Sequence, residues 1–357
     1  MSADIRTKEA GAKATEHQMK YTTYSGLQVI LRALQQYGVT PEHLADKHDI
    51  QVPQNSDIGQ HISPNLIEQI LDVAIEETGD AALPLAIAEH ISPSTFGEFS
   101  IGLLTSHSLF HFLDRVTKYY PYISTAQRLR SVHLNDRVFL LSHFAEKSIK
   151  PEVQQLWVEV AFAFIFRFMR LMGRPDFNAA TLDLLRPVPS ETKEKYEAFF
   201  GVAPTFASER NAISFSYAEL EVPLANGGLE IAEEYEKRMI QKIAAIDSTN
   251  LPLRVHAYIS SELPRRPLSK EVVASYFAMS VKTLQNKLAK SGTSYQKILD
   301  QTRRELSEMY LSFPEVTLAQ IADLLGYSDA SNFCRAYKRW TGELPRSKAQ
   351  IEAIEHQ

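Results

Sequence analysis

The stretch that decides the fold runs from Gly326 to Pro345 and reads GYSDASNFCRAYKRWTGELP. Phe333, Ala336, Tyr337 and Trp340 recur at three- and four-residue spacing, the stripe of a helix with one buried side. Asp329 and Ser331 stand where that helix begins, with Gly326 as the turn before it and Gly342 as its stop. Ser331, Asn332, Arg335, Lys338 and Arg339 fall on the opposite side. Their guanidinium, ammonium and amide groups suit phosphate oxygens and base edges. The spacing therefore predicts an amphipathic helix with a basic, amide-bearing outer face.

Upstream of this stretch, Thr317 caps LAQIADLLG, whose Leu318, Ile321, Ala322 and Leu325 pack one helix before the turn at Gly326. The same plan occurs earlier. Ser269 caps KEVVASYFA, with Val272, Val273 and Phe277 inward. A turn passes through Ala278 and Met279. Ser280 then caps VKTLQNKLAKSG, with Leu284 and Leu288 inward and Gly292 as its end. A helix, a short turn and a second helix is an arrangement that places the second helix in a DNA major groove. Between the two units, Tyr295 to Ser312 predicts a helix of about 27 Å at 1.5 Å per residue. With its flanking turns it spaces the two second helices about one DNA turn apart, roughly 34 Å.

At 357 residues with 44% hydrophobic side chains, the chain suits two domains with sizeable cores. Its net charge of -5 is unevenly spread. Asn250 to Gln357 carries 15 Lys and Arg against 11 Asp and Glu, a net of +4, and the remainder carries 23 against 32, a net of -9. A basic end on an acidic chain points to nucleic acid at that end. The single cysteine, Cys334, excludes an intramolecular disulfide and fits a reducing, cytoplasmic setting. Although it lies on the basic helix, no second cysteine is there to make it a redox switch. The N-terminus is charged through Glu16 and is no signal peptide. Val158 to Met172 is apolar but interrupted by Glu159, Arg167 and Arg170, too short and too charged to span a membrane.

The first two-thirds mixes helices with strands. Residues 1–20 read as a flexible arm, 21–246 as one α+β domain, 247–252 as a linker and 253–357 as the helical domain. Helices are expected over Tyr24 to Tyr37, Pro41 to Lys47 behind the cap Thr40, the segment after Ser63-Pro64, Leu83 to His90 and Ser108 to Tyr120. Further helices are expected over Pro151 to Met172, Ser190 to Phe200 and Leu229 to Ile246. RLRSVHLNDRVFLLSHF predicts a hairpin turning at Asn135-Asp136, and TLDLLRP, VAPTF and NAISFSYAEL predict strands. Phe96 to Leu104 fits more than one state. The aromatic run around Trp157 reads mainly as core. Arg167 and Arg170 on the same apolar helix need partners, which an anionic ligand, Glu159, Glu152 or another carboxylate could supply. His107 and His111 are spaced for one helix face but lack a third ligand, so no metal or cofactor is expected. No Walker loop, no GxGxxG after a strand and no nucleophile elbow is present, and one cysteine cannot build a four-cysteine zinc site. An enzyme is not expected.

Two stretches, MSVKTLQNKLAKSGTSYQKILDQTRRELSEMYL and TLAQIADLLGYSDASNFCRAYKRWTGELP, resemble the tandem helix–turn–helix domain of the AraC/XylS family of transcription regulators over about 90 residues. GDAALPLAIAE, FGEFSIGLLTSHSLFHFLDRVTKYY and NAISFSYAELEVPLANGGLEIA more weakly resemble the N-terminal regulatory domain of one branch of that family, called arabinose-binding by name. The resemblance implies an α+β N-terminal regulatory and dimerisation domain, then an all-α domain of two helix–turn–helix units joined by a long helix. It implies a cytoplasmic, nucleoid-associated bacterial regulator of double-stranded DNA, an activator in contact with RNA polymerase, controlled by a small-molecule effector through the N-terminal domain.

The family's base-facing positions fall on Lys282, Gln285 and Asn286 in the first reading helix and on Ser331, Asn332 and Arg335 in the second. Gln285 and Asn286 can bond adenine in bidentate fashion, and Arg335 can bond guanine. Asn286 stands where the family commonly has a basic residue. Lys287, Lys338 and Arg339 are expected on phosphates, together with the helix start at Thr317. Trp157, Arg167 and Arg170 are the candidates for an effector. The competing reading is a ligand-binding interaction protein whose C-terminal helices dock another protein.

Overall fold

A computed structural model of the chain describes residues 21–53, 60–144, 148–225, 229–246, 251–264, 267–313 and 316–345. The arm expected over 1–20 and linker residues 247–250 lie outside the described residues. The chain divides into two compact units, Met1–Ile243 and Ala244–Gln357.

The first unit begins with β1 (Thr22–Thr23), α1 (Tyr24–Gln35) and α2 (Pro41–His48). Thr40 caps α2 by accepting from the His43 N–H, with Pro41 in the first turn where no N–H is needed. β2 (His61–Ile62) pairs antiparallel with β1. Ser63 then accepts from Asn65 N and opens α3 (Pro64–Thr78), which Gly79 ends in a left-handed conformation. α4 (Leu83–Glu89) and α5 (Glu98–Leu104) follow. The second of these settles the stretch from Glu98 as helix, behind a turn at Phe96 and Gly97. Ser108 caps α6 (Leu109–Tyr119) through His111 N.

Next come β3 (Gln127–Leu134), β4 (Arg137–Phe144), α7 (Pro151–Leu171), β5 (Thr181–Asp183), α8 (Ser190–Phe200), β6 (Ala212–Ser216), α9 (Tyr217–Leu220) and α10 (Leu229–Ile246). The sheet is antiparallel throughout, in the order β3-β4-β6-β5. Asn135, at φ 54°, makes the hairpin turn, a conformation Asn tolerates better than most residues. β4 lies inside the sheet, and its consecutive Val138, Phe139, Leu140 and Leu141 are all buried, as a strand covered on both faces requires.

Pro189 occupies the cap position of α8, and no side chain caps that helix. Two expectations fail locally. VAPTF does not extend into a strand; Thr205 makes one isolated parallel bridge to Asp183. NAISFSYAEL is a strand only to Ser216, where the chain turns into α9.

The aromatic run of α7 is core. Phe164 meets Phe96, Phe168 stacks on Phe112, and Phe166 meets Phe200 and Phe215. Phe162, Phe166 and Phe168 are essentially inaccessible, and each such side chain contributes about 1.5–3 kcal/mol by leaving water.

The second unit is helical among the described residues: α11 (Leu251–Glu262), α12 (Lys270–Tyr276), α13 (Val281–Lys290), α14 (Tyr295–Leu311), α15 (Leu318–Leu324) and α16 (Ala330–Thr341). α11 packs along α14, α12 against α13 and α15 against α16, while α14 touches both α15 and α16. Its core holds Val255, Ile259, Leu284, Leu288, Leu306 and Phe333.

Candidate nucleic-acid interface

The hydroxyl of Ser269 caps α12 through Val272 N. After α12 the chain closes by two backbone bonds, from Ala278 N to Ser275 O and from Met279 N to Ala274 O. Ala278 takes a left-handed φ of 52° to do so. Between α15 and α16 the same closure recurs, from Gly326 N to Asp323 O and from Tyr327 N to Ala322 O, with Gly326 at φ 68°. Both turns bond the second residue beyond the helix back to its last turn, a closure that needs one left-handed residue.

Ser280 caps α13 through Thr283 N. Leu284 and Leu288, four residues apart, are fully buried. Lys282, Gln285, Asn286 and Lys287 lie on the rest of the helix and are all exposed. The expected division of α13 into a packed stripe and a free polar face is therefore what the helix presents.

α16 is built alike but held more firmly at its start. Asp329 caps it by accepting from Asn332 N at 2.7 Å, and its carboxyl is held below the usual carboxylate range, first by that backbone N–H and then by Ser328. The Asn332 amide is committed on both sides. Its Nδ2 donates to Ser328 Oγ and to Asp329 Oδ2, each at 2.6 Å, and its Oδ1 accepts from Arg335 Nη2 at 2.6 Å. Ser331, Arg335, Lys338 and Arg339 are exposed. Phe333 and Ala336 are buried, but Tyr337 and Trp340 are only half-buried, where the spacing placed them in the core. Cys334 is half-buried, and burial pushes its thiol up, away from the reactive thiolate.

Thr317 starts α15 in a full capping box. Gln320 N donates to Thr317 Oγ1, and Thr317 N donates to Gln320 Oε1. Arg303 carries no local signal in the sequence. From α14 it donates to Leu325 O at 2.9 Å and Gly326 O at 3.2 Å, and its guanidinium lies 4.4 Å from the Tyr327 ring. It thereby fixes the turn that aims α16. A recess of about 440 Å³ opens beside it, lined among others by Asp300, Arg303, Asn332, Arg335 and Arg339. Three guanidinium groups against one carboxylate leave that recess positive.

The three effector candidates of the first unit do not come together on one site. Trp157 is buried and meets Phe144 edge to face. Arg170 donates to Phe177 O, Phe199 O and Asn178 Oδ1, so it ties α8 to the end of α7. Glu159, an expected partner for these arginines, instead pairs with Arg186 at 2.7 Å and accepts from Tyr196. Of the three candidates, Arg167 is the one that keeps a buried Nε with no hydrogen-bond acceptor among the described residues.

Residues 31–224 match the family described as the arabinose-binding domain of AraC transcription regulator, N-terminal, and residues 273–350 match a helix-turn-helix domain. The ornithine utilization regulator of Pseudomonas aeruginosa is 25% identical over 319 residues, 89% of this chain and 93% of that protein. The HTH-type transcriptional regulator VirS of Mycobacterium tuberculosis is 31% identical over 194 residues, 53% of this chain and 55% of that protein. Among solved structures, the transcriptional regulator CdpR of Pseudomonas aeruginosa aligns over 88% of this chain and 95% of its own, at 22% identity and a TM-score of 0.42. No helix among the described residues is long and apolar enough to cross a membrane.

Proposed function

The chain belongs to the AraC family of DNA-binding transcription regulators, and from that premise we propose that α13 and α16 read two successive major grooves of one operator. The observation that carries the proposal is the repeated division of the two helices. Each buries one stripe, Leu284 and Leu288 in one, Phe333 and Ala336 in the other, and turns Lys282, Gln285 and Asn286, or Ser331 and Arg335, to solvent. α14, with 17 residues, is about 26 Å long and sets the separation. Asn332 presents Arg335 to its base, because reading adenine itself would break three hydrogen bonds. Lys287, Lys338, Arg339 and the start of α15 at Thr317 hold phosphates.

The first unit senses a small molecule, and the family resemblance makes the outcome activation through RNA polymerase in the bacterial cytoplasm. Arg167 is the residue left for an anionic effector, since its Nε lacks the acceptor that Arg170 already has. A ligand that binds one arrangement of the chain better than another shifts DNA engagement by that difference in affinity. The same unit supplies the contacts of a homodimer.

Gel-shift titration of operator variants tests the reading. Arg335→Ala should cost about 1–3 kcal/mol at one base position and relax discrimination there, while Lys338→Ala weakens all sequences alike and lowers the salt slope by about 1. Unchanged discrimination by Arg335→Ala removes that residue from the readers. Binding to the operator that ignores salt would instead favour an apolar helix-docking surface, because phosphate contacts release counterions.

A further inference from the structure

The ends of α2 and α3 meet at one carboxylate. His43 Nε2 lies 2.7 Å from Glu77 Oε2, and His48 Nε2 lies 2.9 Å from Glu77 Oε1. The two imidazoles are tilted by 49° with centroids 5.7 Å apart. Lys47 Nζ also reaches Glu77 Oε1, at 3.1 Å. One ligand atom from each of His43, His48 and Glu77 lies within 4.8 Å of the other two, the one such group of three among the described residues. The histidine side chains are 29% and 23% exposed, sheltered yet open to an entering ion.

We propose that His43, His48 and Glu77 form a three-ligand site for a zinc-class divalent cation, which clamps the end of α2 to the end of α3. Two imidazoles and a carboxylate are the ligand set such borderline ions take, with a fourth position left for water. In a tetrahedral site with legs of about 2.0–2.1 Å, ligand atoms stand about 3.3 Å apart. The 2.7 Å contact to Oε2 and the 2.9 Å contact to Oε1 therefore have to open by about half an ångström, with the Glu77 carboxylate chelating through both oxygens or turning to offer one. The Lys47 ammonium competes for Glu77 Oε1, but that side chain is 63% exposed and can swing into solvent. An ion that binds the folded chain alone raises its melting temperature. Because the imidazoles bind a metal only in their neutral form, affinity drops as pH is lowered.

The full-length chain, stripped with a chelator, is titrated with Co²⁺ and followed by visible absorbance, then challenged with Zn²⁺. One equivalent of Co²⁺ should give the intense bands of a four-coordinate N/O site, and Zn²⁺ should displace it and raise the melting temperature. His43→Gln/His48→Gln should weaken binding by more than about 100-fold, beyond the loss of an outer partner alone. Lys47→Ala should tighten it, a gain that a poorly folded variant cannot imitate. His107→Gln/His111→Gln should leave it unchanged. Absence of Co²⁺ binding by the wild type, equal binding by the His43→Gln/His48→Gln variant, a loss that follows His107 and His111 instead, or no gain in Lys47→Ala would each overturn the proposal.

Discussion

Arg115 is 2% exposed, and a guanidinium that deep has to be surrounded by acceptors. Nη1 donates to Gly102 O at 2.6 Å and to the hydroxyls of Thr105 and Ser106, both at 3.1 Å. Nη2 donates to Ala232 O at 3.2 Å, and Nε lies 3.4 Å from Glu236 Oε1. Those last two partners belong to α10, so one side chain from α6 binds α10 to the corner between α5 and α6. Arg115→Met keeps much of the apolar stem and removes every one of these bonds. It should lower stability by about 3 kcal/mol, the range for removing one partner of a buried charge pair, read as a fall in the urea midpoint at constant slope. A midpoint unchanged from wild type would mean that α10 is held by its apolar contacts instead. Arg167 and Arg170 stand out in the sequence because they interrupt an apolar run, whereas Arg115 sits in an ordinary amphipathic helix. Nothing local distinguishes Arg115: its Ala232 acceptor lies 117 residues away. Glu159 was a plausible partner by proximity in sequence, yet it joins Arg186 across 27 residues for the same reason.

Signals confined to a few residues were readable at the scale of the element. Thr40, Ser63, Ser269, Ser280 and Thr317 cap the helices the sequence starts at them, and Ser108 caps a helix too. In each, the hydroxyl and the N–H it receives are two or three residues apart, so the bond is written in the local sequence. VAPTF failed because a strand requires a partner of matching register, which no single segment specifies. The closures before α13 and α16 show the same contrast between local geometry and residue type. Gly326 and Ala278 hold equivalent left-handed positions, at φ 68° and 52°, but only one of them is the residue suited to that region. A Cβ on Gly326 would meet Arg303 Nη2 and Leu263 Cδ1 at 3.5 Å, ordinary contact, so the cost of substitution is conformational. Gly326→Ala should destabilise the second unit by about 1 kcal/mol, the left-handed penalty less what alanine gains by restricting the unfolded chain. Ala278→Gly inverts both quantities and should shift stability by less than about 1 kcal/mol, in the favourable direction. Thermal melts followed at Trp340 compare the two, and an equal effect of both substitutions would refute the conformational account.

Across the whole molecule, the most strongly depressed carboxyls fall in the first unit. Glu236 has its carboxyl held at about 2, by His111 first and then by Lys118 and Arg115, and Glu77 is held at about 2 by His48, Lys47 and His43. Both belong to the first unit. An unfolded glutamate titrates near about 4.3. A carboxyl whose folded value lies below its unfolded one binds fewer protons when folded, so its contribution is complete above the unfolded value and disappears as pH falls toward the folded one. Stability of the first unit should therefore hold to about pH 5 and decline steeply from there to about pH 2. The two tryptophans, Trp157 and Trp340, lie one in each unit, which allows the units to be followed separately. In a Trp340→Phe background, urea midpoints at pH 7, 5, 4 and 3 report the first unit through Trp157. Glu236→Gln should lower the midpoint at pH 7 and flatten its fall below pH 5, because an amide cannot take up the proton that the unfolded glutamate binds. Glu77→Gln should do the same to a smaller degree, since its pairs face solvent, where water and salt screen them. Parallel pH profiles for wild type and Glu236→Gln would place the acid sensitivity in other carboxylates and break the link between the Arg115 cluster and the stability of the unit that carries α10.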